Sequence, residues 1–177
     1  MASIWVDSEC RIIRTDEQWD TLAEDNNASQ LIGEKIKGSL IWKYIKGDAA
    51  RMFLDALMTR VKISGKPYIL HYRCDGPSKA QFMRMMVSRS DDNTFHIEHD
   101  LVRTEKISPE ISFIEDKEAE EERCAVCGKV HFKGEWFDAL TNRRVFGSLE
   151  ELRTRTVVCE ACEPKVYLSN IKEETPH

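Results

Sequence analysis

The stretch YILHYRCDGPSKAQFMRMMVSRSDDNTFHIEHDLVR, residues 68–103, decides the fold. Turn-forming residues divide it into three runs, Tyr68–Cys74, Gln81–Arg89 and Thr94–Arg103. Apolar and polar residues alternate in each run, which is the pattern of a strand with one buried face. Because short turn segments join consecutive runs, the sequence predicts three strands that pair in antiparallel fashion.

Two shorter strands and several helices are predicted upstream of this stretch. The apolar runs Ile4–Val6 and Ile12–Ile13 indicate a hairpin, and Thr15 or Asp16 can cap the helix that follows. A longer amphipathic helix ends at Gly65–Pro67. This order of elements predicts the α+β class, with a five-stranded antiparallel sheet and helices on one of its faces.

Several side chains of the predicted sheet and helices could line a pocket. A buried imidazole could bind haem iron or hydrogen-bond a ligand, whereas the commoner role is a core histidine bonded to a backbone carbonyl. Methionines and a buried free cysteine suit an adaptable pocket, although filling the core is their more frequent use. The candidate pocket residues are His99, Met83, Met85, Tyr72, Cys74, Trp42 and Phe53.

Composition divides the chain into four parts. Residues 1–105 carry the predicted sheet and its helices. Residues 106–122 include the charge-dense run Glu115–Glu122, which indicates an acidic linker or a solvated helix. Residues 123–168 form a small module that contains four cysteines, and the polar residues 169–177 are expected to be a flexible tail.

Four of the six cysteines form two CxxC pairs, Cys124 with Cys127 and Cys159 with Cys162. Two intervening residues let both thiolates of a pair bind one ion, and two pairs complete the tetrahedral sulfur shell that zinc favours. A module of this size has few core residues and needs a cross-link to fold. We therefore expect one structural Zn²⁺ ion; iron is an alternative occupant of the same shell.

Charge and motif content restrict the function. The net charge of −5 disfavours a nucleic-acid partner, but a basic spot in the cysteine module keeps a nucleic-acid-binding zinc module as an alternative. No apolar run reaches the ~20 residues of a membrane span and no secretory signal precedes the first strand, so we expect a cytoplasmic protein without membrane contact. Since no phosphate loop, nucleophile elbow or HExxH motif occurs, an enzyme is not expected. The basic spot consists of Arg143, Arg144, Arg153 and Arg155.

One set of motifs points to a known family. The segment Tyr72-Arg-Cys-Asp75 with Pro77 precedes Phe82–Met86, and Trp136 follows the first CxxC pair. These motifs resemble a bacterial PAS-like group, whose members carry an Arg-Cys-Asp-x-Pro segment in the sheet and a C-terminal CxxC…CxxC module. The resemblance covers residues 3–168. Its other features are the opening hairpin, Trp19–Ala23, Gly38–Trp42, Gly47-Asp48, the longer helix and Gly65–Pro67 before three strands.

The resemblance implies a sensory or protein-interaction role in bacterial signal transduction. PAS domains hold small ligands, haem or flavin between the sheet and its helices, or act as dimerisation modules. The implied partners are therefore a signalling protein, an unknown small molecule or a second copy of the chain. The Asn-Cys-Arg-Phe-Leu-Gln motif of flavin photosensors is absent, so no light-reactive cysteine is expected. An alternative is a redox sensor in which oxidation of the four thiolates releases zinc.

Overall fold

The computed structural model describes residues 1–26, 28–90 and 93–167. A five-stranded antiparallel sheet forms the first part of the molecule, with the strand order β2-β1-β5-β4-β3. Short turns join β3 to β4 and β4 to β5, as the alternating stretch predicted. The α+β class expected from the sequence is therefore confirmed. The strands are β1 (Ala2–Val6), β2 (Ile12–Thr15), β3 (Tyr68–Arg73), β4 (Lys79–Arg89) and β5 (Phe95–Lys106).

Three helices connect β2 to β3: α1 (Glu17–Asp25), α2 (Gly33–Ile36) and α3 (Asp48–Ser64). The carboxylate of Asp16 caps α1, because its Oδ1 atom accepts the backbone N–H of Trp19 at 2.8 Å. Gly65 ends α3 in the left-handed conformation, with φ of +66°. Of the helices in the described ranges, none has the length and apolar character needed to traverse a bilayer.

A second sheet contains five shorter strands in the order β6-β10-β7-β8-β9. Strand β10 pairs in parallel with both β6 and β7, whereas β7, β8 and β9 pair in antiparallel fashion. A short helix, α4 (Glu163–Tyr167), follows β10. The strands are β6 (Ser112–Glu115), β7 (Glu122–Cys124), β8 (Val130–Phe132), β9 (Glu135–Phe137) and β10 (Glu151–Val157).

The two sheets share their apolar cores. Cys124, Val126 and Cys159 of the cysteine module pack in the same buried cluster as Phe53 of α3 and Ile97 of β5. A second cluster joins Ala80 of β4 to buried side chains of the second sheet and of the 3₁₀ turn Arg143–Phe146, among them the fully buried Phe146. The cysteine module therefore packs directly against the first sheet and its helices.

The stretch predicted as an acidic linker, residues 106–122, is more structured than its charge suggested. It contains β6, and the two isoleucines that precede this strand in the sequence, Ile107 and Ile111, are fully buried. These two isoleucines anchor the start of the stretch in the apolar core, and its role as an acidic linker stays a prediction. The predicted boundaries at residues 105 and 123 stay predictions, and the expected tail, 169–177, lies outside the described residues.

Candidate metal centre and ligand cavity

The four paired cysteines come together because of the parallel pairing in the second sheet. Cys124 ends β7 and pairs with Val157 at the end of β10, so the two CxxC turns leave the same edge of the sheet. Gly128 closes the first turn with φ of +71°, a conformation that glycine adopts without strain. The four Sγ atoms lie within 4.8 Å of one another, which confirms the predicted cluster.

The spacing of the thiols fits a tetrahedral metal shell. Metal–sulfur bonds of about 2.3 Å in a tetrahedron require sulfur–sulfur edges of about 3.8 Å, and the Sγ atoms of Cys127 and Cys159 are 3.8 Å apart. Cys124, Cys159 and Cys162 are buried, and Cys127 is half-buried. The cluster could therefore hold one metal ion that is largely shielded from solvent.

Local hydrogen bonds prepare the cluster for a cation. The Sγ atom of Cys124 accepts the backbone N–H groups of Val126 and Cys159, each at 3.4 Å. Interaction with the Cys127 thiol, helped by these N–H donors, lowers the pKa of Cys124 to about 4. Burial raises the pKa of Cys162 to about 12, because crowded thiols cannot all ionise without a cation among them. This set of sulfur donors suits a divalent ion.

A separate apolar cavity of about 270 Å³ lies between the first sheet and its helices. Its walls carry no Asp, Glu, Lys or Arg side chain, and its polar side chains are those of Tyr44, Tyr72, His99 and Trp19. One wall residue, Ala125, belongs to the first CxxC turn rather than to the first sheet. The other lining residues are Ile4, Ile12, Leu31, Ile36, Ile41, Ile45, Ala50, Phe53, Leu54, Leu70, Met85 and Ile97.

The polar end of this cavity is a hydrogen-bonded pair. The hydroxyl of Tyr72 lies 2.9 Å from Nδ1 of His99, and burial lowers the pKa of His99 to about 4. Burial also raises the pKa of the Tyr72 phenol. Both side chains are therefore neutral at physiological pH. Trp19 packs beside His99, with ring centroids 5.9 Å apart, and its indole N–H donates to the Leu31 carbonyl at 2.8 Å.

An outer cleft of about 530 Å³ adjoins the cavity on the other side of the Tyr72–His99 pair. Trp19, Leu31, Tyr72 and His99 line both spaces, so the cavity and the cleft meet at these side chains. Met83 lines the outer cleft together with polar groups of the β3–β4 turn.

The structure divides the predicted pocket residues into three places. Phe53, Met85, Tyr72 and His99 line the apolar cavity. Met83 and Cys74 line the outer cleft, as do Tyr72 and His99. Cys74 is exposed instead of lying on the apolar face of β3. The strand ends at Arg73, so its alternation does not extend to Cys74.

Trp42 lines neither the cavity nor the cleft in the part of the chain that the structure describes, and its role in a pocket stays a prediction. It lines a shallow groove with Arg11 and Arg51 on the outside of the helices. The reason is the 3₁₀ turn Ile41–Tyr44, which directs Ile41 and Tyr44 into the cavity and leaves Trp42 between them on the outer side.

Sequence reasoning missed a buried ion network beside the metal site. The guanidinium of Arg73 bonds both carboxylate oxygens of Asp75, at 3.0 and 2.7 Å, and reaches Asp138 at 2.6 Å. Arg123 also contacts Asp75, at 3.1 Å. The network is buried because the second sheet covers the end of β3 that carries Arg73. The tight Arg-Cys-Asp segment was the signal that could have indicated the network.

Comparisons with known proteins supply no family. No protein-family model matches the chain, and no curated protein is significantly similar to it. The chain is thus an α+β protein with two sheets, a four-cysteine cluster that could bind a metal ion, and an apolar cavity between the first sheet and its helices.

Proposed function

We propose that the protein is a sensory or protein-interaction module of signal transduction, in which a PAS-like domain is joined to a structural zinc site. The observation that carries this proposal is the apolar cavity closed by the neutral Tyr72–His99 pair. The order of hairpin, short helices, longer helix and three strands, on which the resemblance to PAS domains rests, supports it. A partner would respond when occupancy of the cavity shifts the packing of helices on the sheet.

The cavity favours a small neutral ligand. An apolar cavity of about 150 Å³ is large enough for benzene, so about 270 Å³ suits a bicyclic aromatic molecule. An ionised ligand would lose its hydration without meeting an opposite charge. A haem or flavin would exceed this space, which is smaller than the roughly 300–1,000 Å³ of drug-sized sites. The Tyr72–His99 pair offers a point for polar recognition at one end of the cavity.

The metal is proposed to be one Zn²⁺ ion with a structural role. A four-thiolate shell leaves no coordination position for a substrate, and a buried cluster exchanges ligands slowly. The module is proposed to bind a ligand rather than to catalyse a reaction. Co²⁺ titration of the metal-free protein tests the shell: tetrahedral tetrathiolate absorption bands support it, and octahedral bands would reject it.

The structure favours a protein or small-molecule partner over nucleic acid. Arg143 is buried and donates to the carbonyls of Pro109, Glu110, Gly147 and Leu149. Arg153 and Arg155 are paired with Asp116 and Glu122. Three of the four arginines of the basic spot are thus committed to contacts within the chain, which leaves little charge for a phosphate backbone.

Calorimetric titration with indole tests the ligand proposal. Indole is neutral and of the expected size, and indole-3-carboxylate is its charged counterpart. We expect saturable binding of indole, no binding of the carboxylate, and loss of indole binding in the cavity-filling variant Ala50→Leu. Ala49→Leu, one residue earlier on α3 and outside the cavity lining, is the matched control. Equal binding by both variants, or no binding by the wild type, would reject the proposal.

A further inference from the structure

The first CxxC turn is at once a metal-binding loop and a wall of the apolar cavity. Ala125 lines the cavity, and the metal-ligating candidates Cys124 and Cys127 flank it within three positions. Val126 is 2% exposed and packs in the core cluster that surrounds the cavity. A change in the conformation of this turn therefore changes the shape of the cavity directly.

Backbone hydrogen bonds continue this connection into the first sheet. The N–H of Arg73 donates to the carbonyl of Val126 at 2.9 Å, so the turn is bonded to β3. Tyr72, the residue before Arg73, carries the hydroxyl that meets His99. Ala125 donates in turn to Val157 on β10, at 2.8 Å. The metal loop, β3 and the polar end of the cavity thus form one contiguous bonded unit.

The ion network holds this unit closed. The Asp75 side chain is 1% exposed and lies between Arg73 and Arg123. A Cβ atom at Gly128 would lie 3.0 Å from Asp75 Oδ2 and 3.2 Å from Arg73 Nε, so the turn packs against the network without free space. Movement of the first CxxC turn therefore requires rearrangement of these buried charges, which favours two discrete arrangements over gradual opening.

A second connection joins the module to α3. Gly47 directly precedes this helix and has a φ of +80°. A Cβ atom at Gly47 would lie 2.6 Å from Cβ of Thr156 on β10. The hydroxyl of Tyr68 donates to the carbonyl of Lys165 in α4. Two walls of the cavity, β3 and the start of α3, are therefore held against the metal module at separate points.

We propose that metal occupancy of the four-cysteine site controls ligand binding in the apolar cavity. The proposal rests on the proposed function for the identity of the cavity as a ligand site. With the ion bound, the first CxxC turn is fixed and Ala125 completes the wall. Without it, the two turns are joined only by weak contacts of the thiols, such as the N–H of Cys159 with Sγ of Cys124, so the wall loosens and the cavity opens to water. Because linkage is reciprocal, a bound ligand retains the metal by the same factor.

Hydrogen exchange of the full chain, measured by mass spectrometry with and without zinc, tests this coupling under reducing conditions. We expect removal of zinc to speed exchange at least roughly tenfold in β3 and the first half of α3, besides the CxxC turns. The hairpin of β1 and β2 keeps its protection. Loss of protection confined to residues 122–163 would overturn the proposal. Equal loss in every peptide would also overturn it, since that result is global unfolding.

A matched pair of variants tests the route through the ion network. Asp138→Asn removes one charged partner of Arg73. Glu135→Gln alters an exposed carboxylate on β9, the strand that Asp138 follows. Transfer of zinc to a chromophoric chelator should be several-fold faster in Asp138→Asn and unchanged in Glu135→Gln. Equal rates in both variants would show that the network does not hold the turn.

The reciprocal effect is measured with indole as the probe. Saturating indole should slow zinc transfer from the wild type by roughly tenfold, within the usual range of coupling between sites. Indole that binds without slowing transfer would overturn the coupling alone. Failure of indole to bind would reject the proposed ligand site, while the exchange measurement still decides whether metal controls the cavity wall.

Discussion

Replacement of Arg73 by methionine is the sharpest test of how the two sheets are joined. Methionine keeps much of the side-chain volume but removes the charge that Asp75 and Asp138 share. The side chains of Arg73 and Asp75 are 5% and 1% exposed, so neither carboxylate hydration nor solvent screening can replace the lost contact at Asp75. The variant therefore leaves a buried carboxylate with Arg123 as its remaining cationic partner, 3.1 Å away.

Breaking a buried ion pair by removing one partner costs about 3–5 kcal/mol. Because Asp75 keeps Arg123, we expect the lower end, a loss of about 3 kcal/mol in the free energy of unfolding. The matched control is Arg84→Met on β4, whose ion pair with Asp100 has side chains 33% and 30% exposed. Such a half-exposed pair contributes about 0.2–1 kcal/mol.

Urea denaturation of zinc-loaded protein, followed by circular dichroism, measures both values from the transition midpoints. A loss for Arg73→Met that is no larger than the loss for Arg84→Met would refute the buried network as the joint between the sheets. Unfolding in two separate transitions in the wild type would contradict the shared core, since two sheets on one core unfold together.

Three further changes have definite expected outcomes. Burial lowers the pKa of His99 to about 4, so the unfolded chain binds more protons than the folded chain between about pH 6.5 and pH 4. The free energy of unfolding should therefore fall by up to about 3 kcal/mol as the pH decreases through that window. Denaturation of the wild type and of His99→Gln at each pH isolates this contribution as the difference between them. Gly47→Ala should lower the free energy of unfolding by about 2 kcal/mol or more, since φ is +80° and the new methyl group meets Thr156. Gly65→Ala, at an open position, should lower it by about 1 kcal/mol. Equal thermal midpoints for the two variants would contradict this difference. Asp16→Ala should lower the free energy of unfolding by about 1–2 kcal/mol in the same assay, because one carboxylate oxygen accepts the N–H groups of Trp19 and Ser3. An unchanged midpoint would argue against the cap.

Local chemistry was predictable where one or a few adjacent residues determine it. Asp16 satisfies the free N–H groups of a helix start, and Gly65 provides the left-handed residue that ends a helix. Alternation located β3, β4 and β5 within a few residues of their observed ends. The CxxC spacing predicted the metal cluster, because two residues between cysteines restrict where their thiols can point.

Long-range pairing was not predictable in the same way. The parallel pairing of β10 with β6 and β7 depends on contacts between residues far apart in sequence, and short strands of mixed composition carry no periodic signal for it. Ile107 and Ile111 were hidden by the charge-dense run that follows them. The burial of Arg73 was not predictable, because alternation distinguishes the two faces of a strand but not which neighbour covers each face.

The role of Ala125 shows the same limit. Between two cysteines, a small apolar residue has no distinguishing pattern, yet its position makes the metal loop part of the cavity wall. The sequence therefore predicted a closed and inert metal site, and the structure adds a physical connection between that site and the cavity.

Native mass spectrometry of the full chain tests the central claim most directly, because it reports metal and bound small molecules on the same particle. We expect one zinc ion per chain and, at subsaturating indole, roughly tenfold less indole bound to the metal-free form than to the zinc-loaded form. A chain that binds no metal, or that binds indole equally with and without zinc, would contradict it.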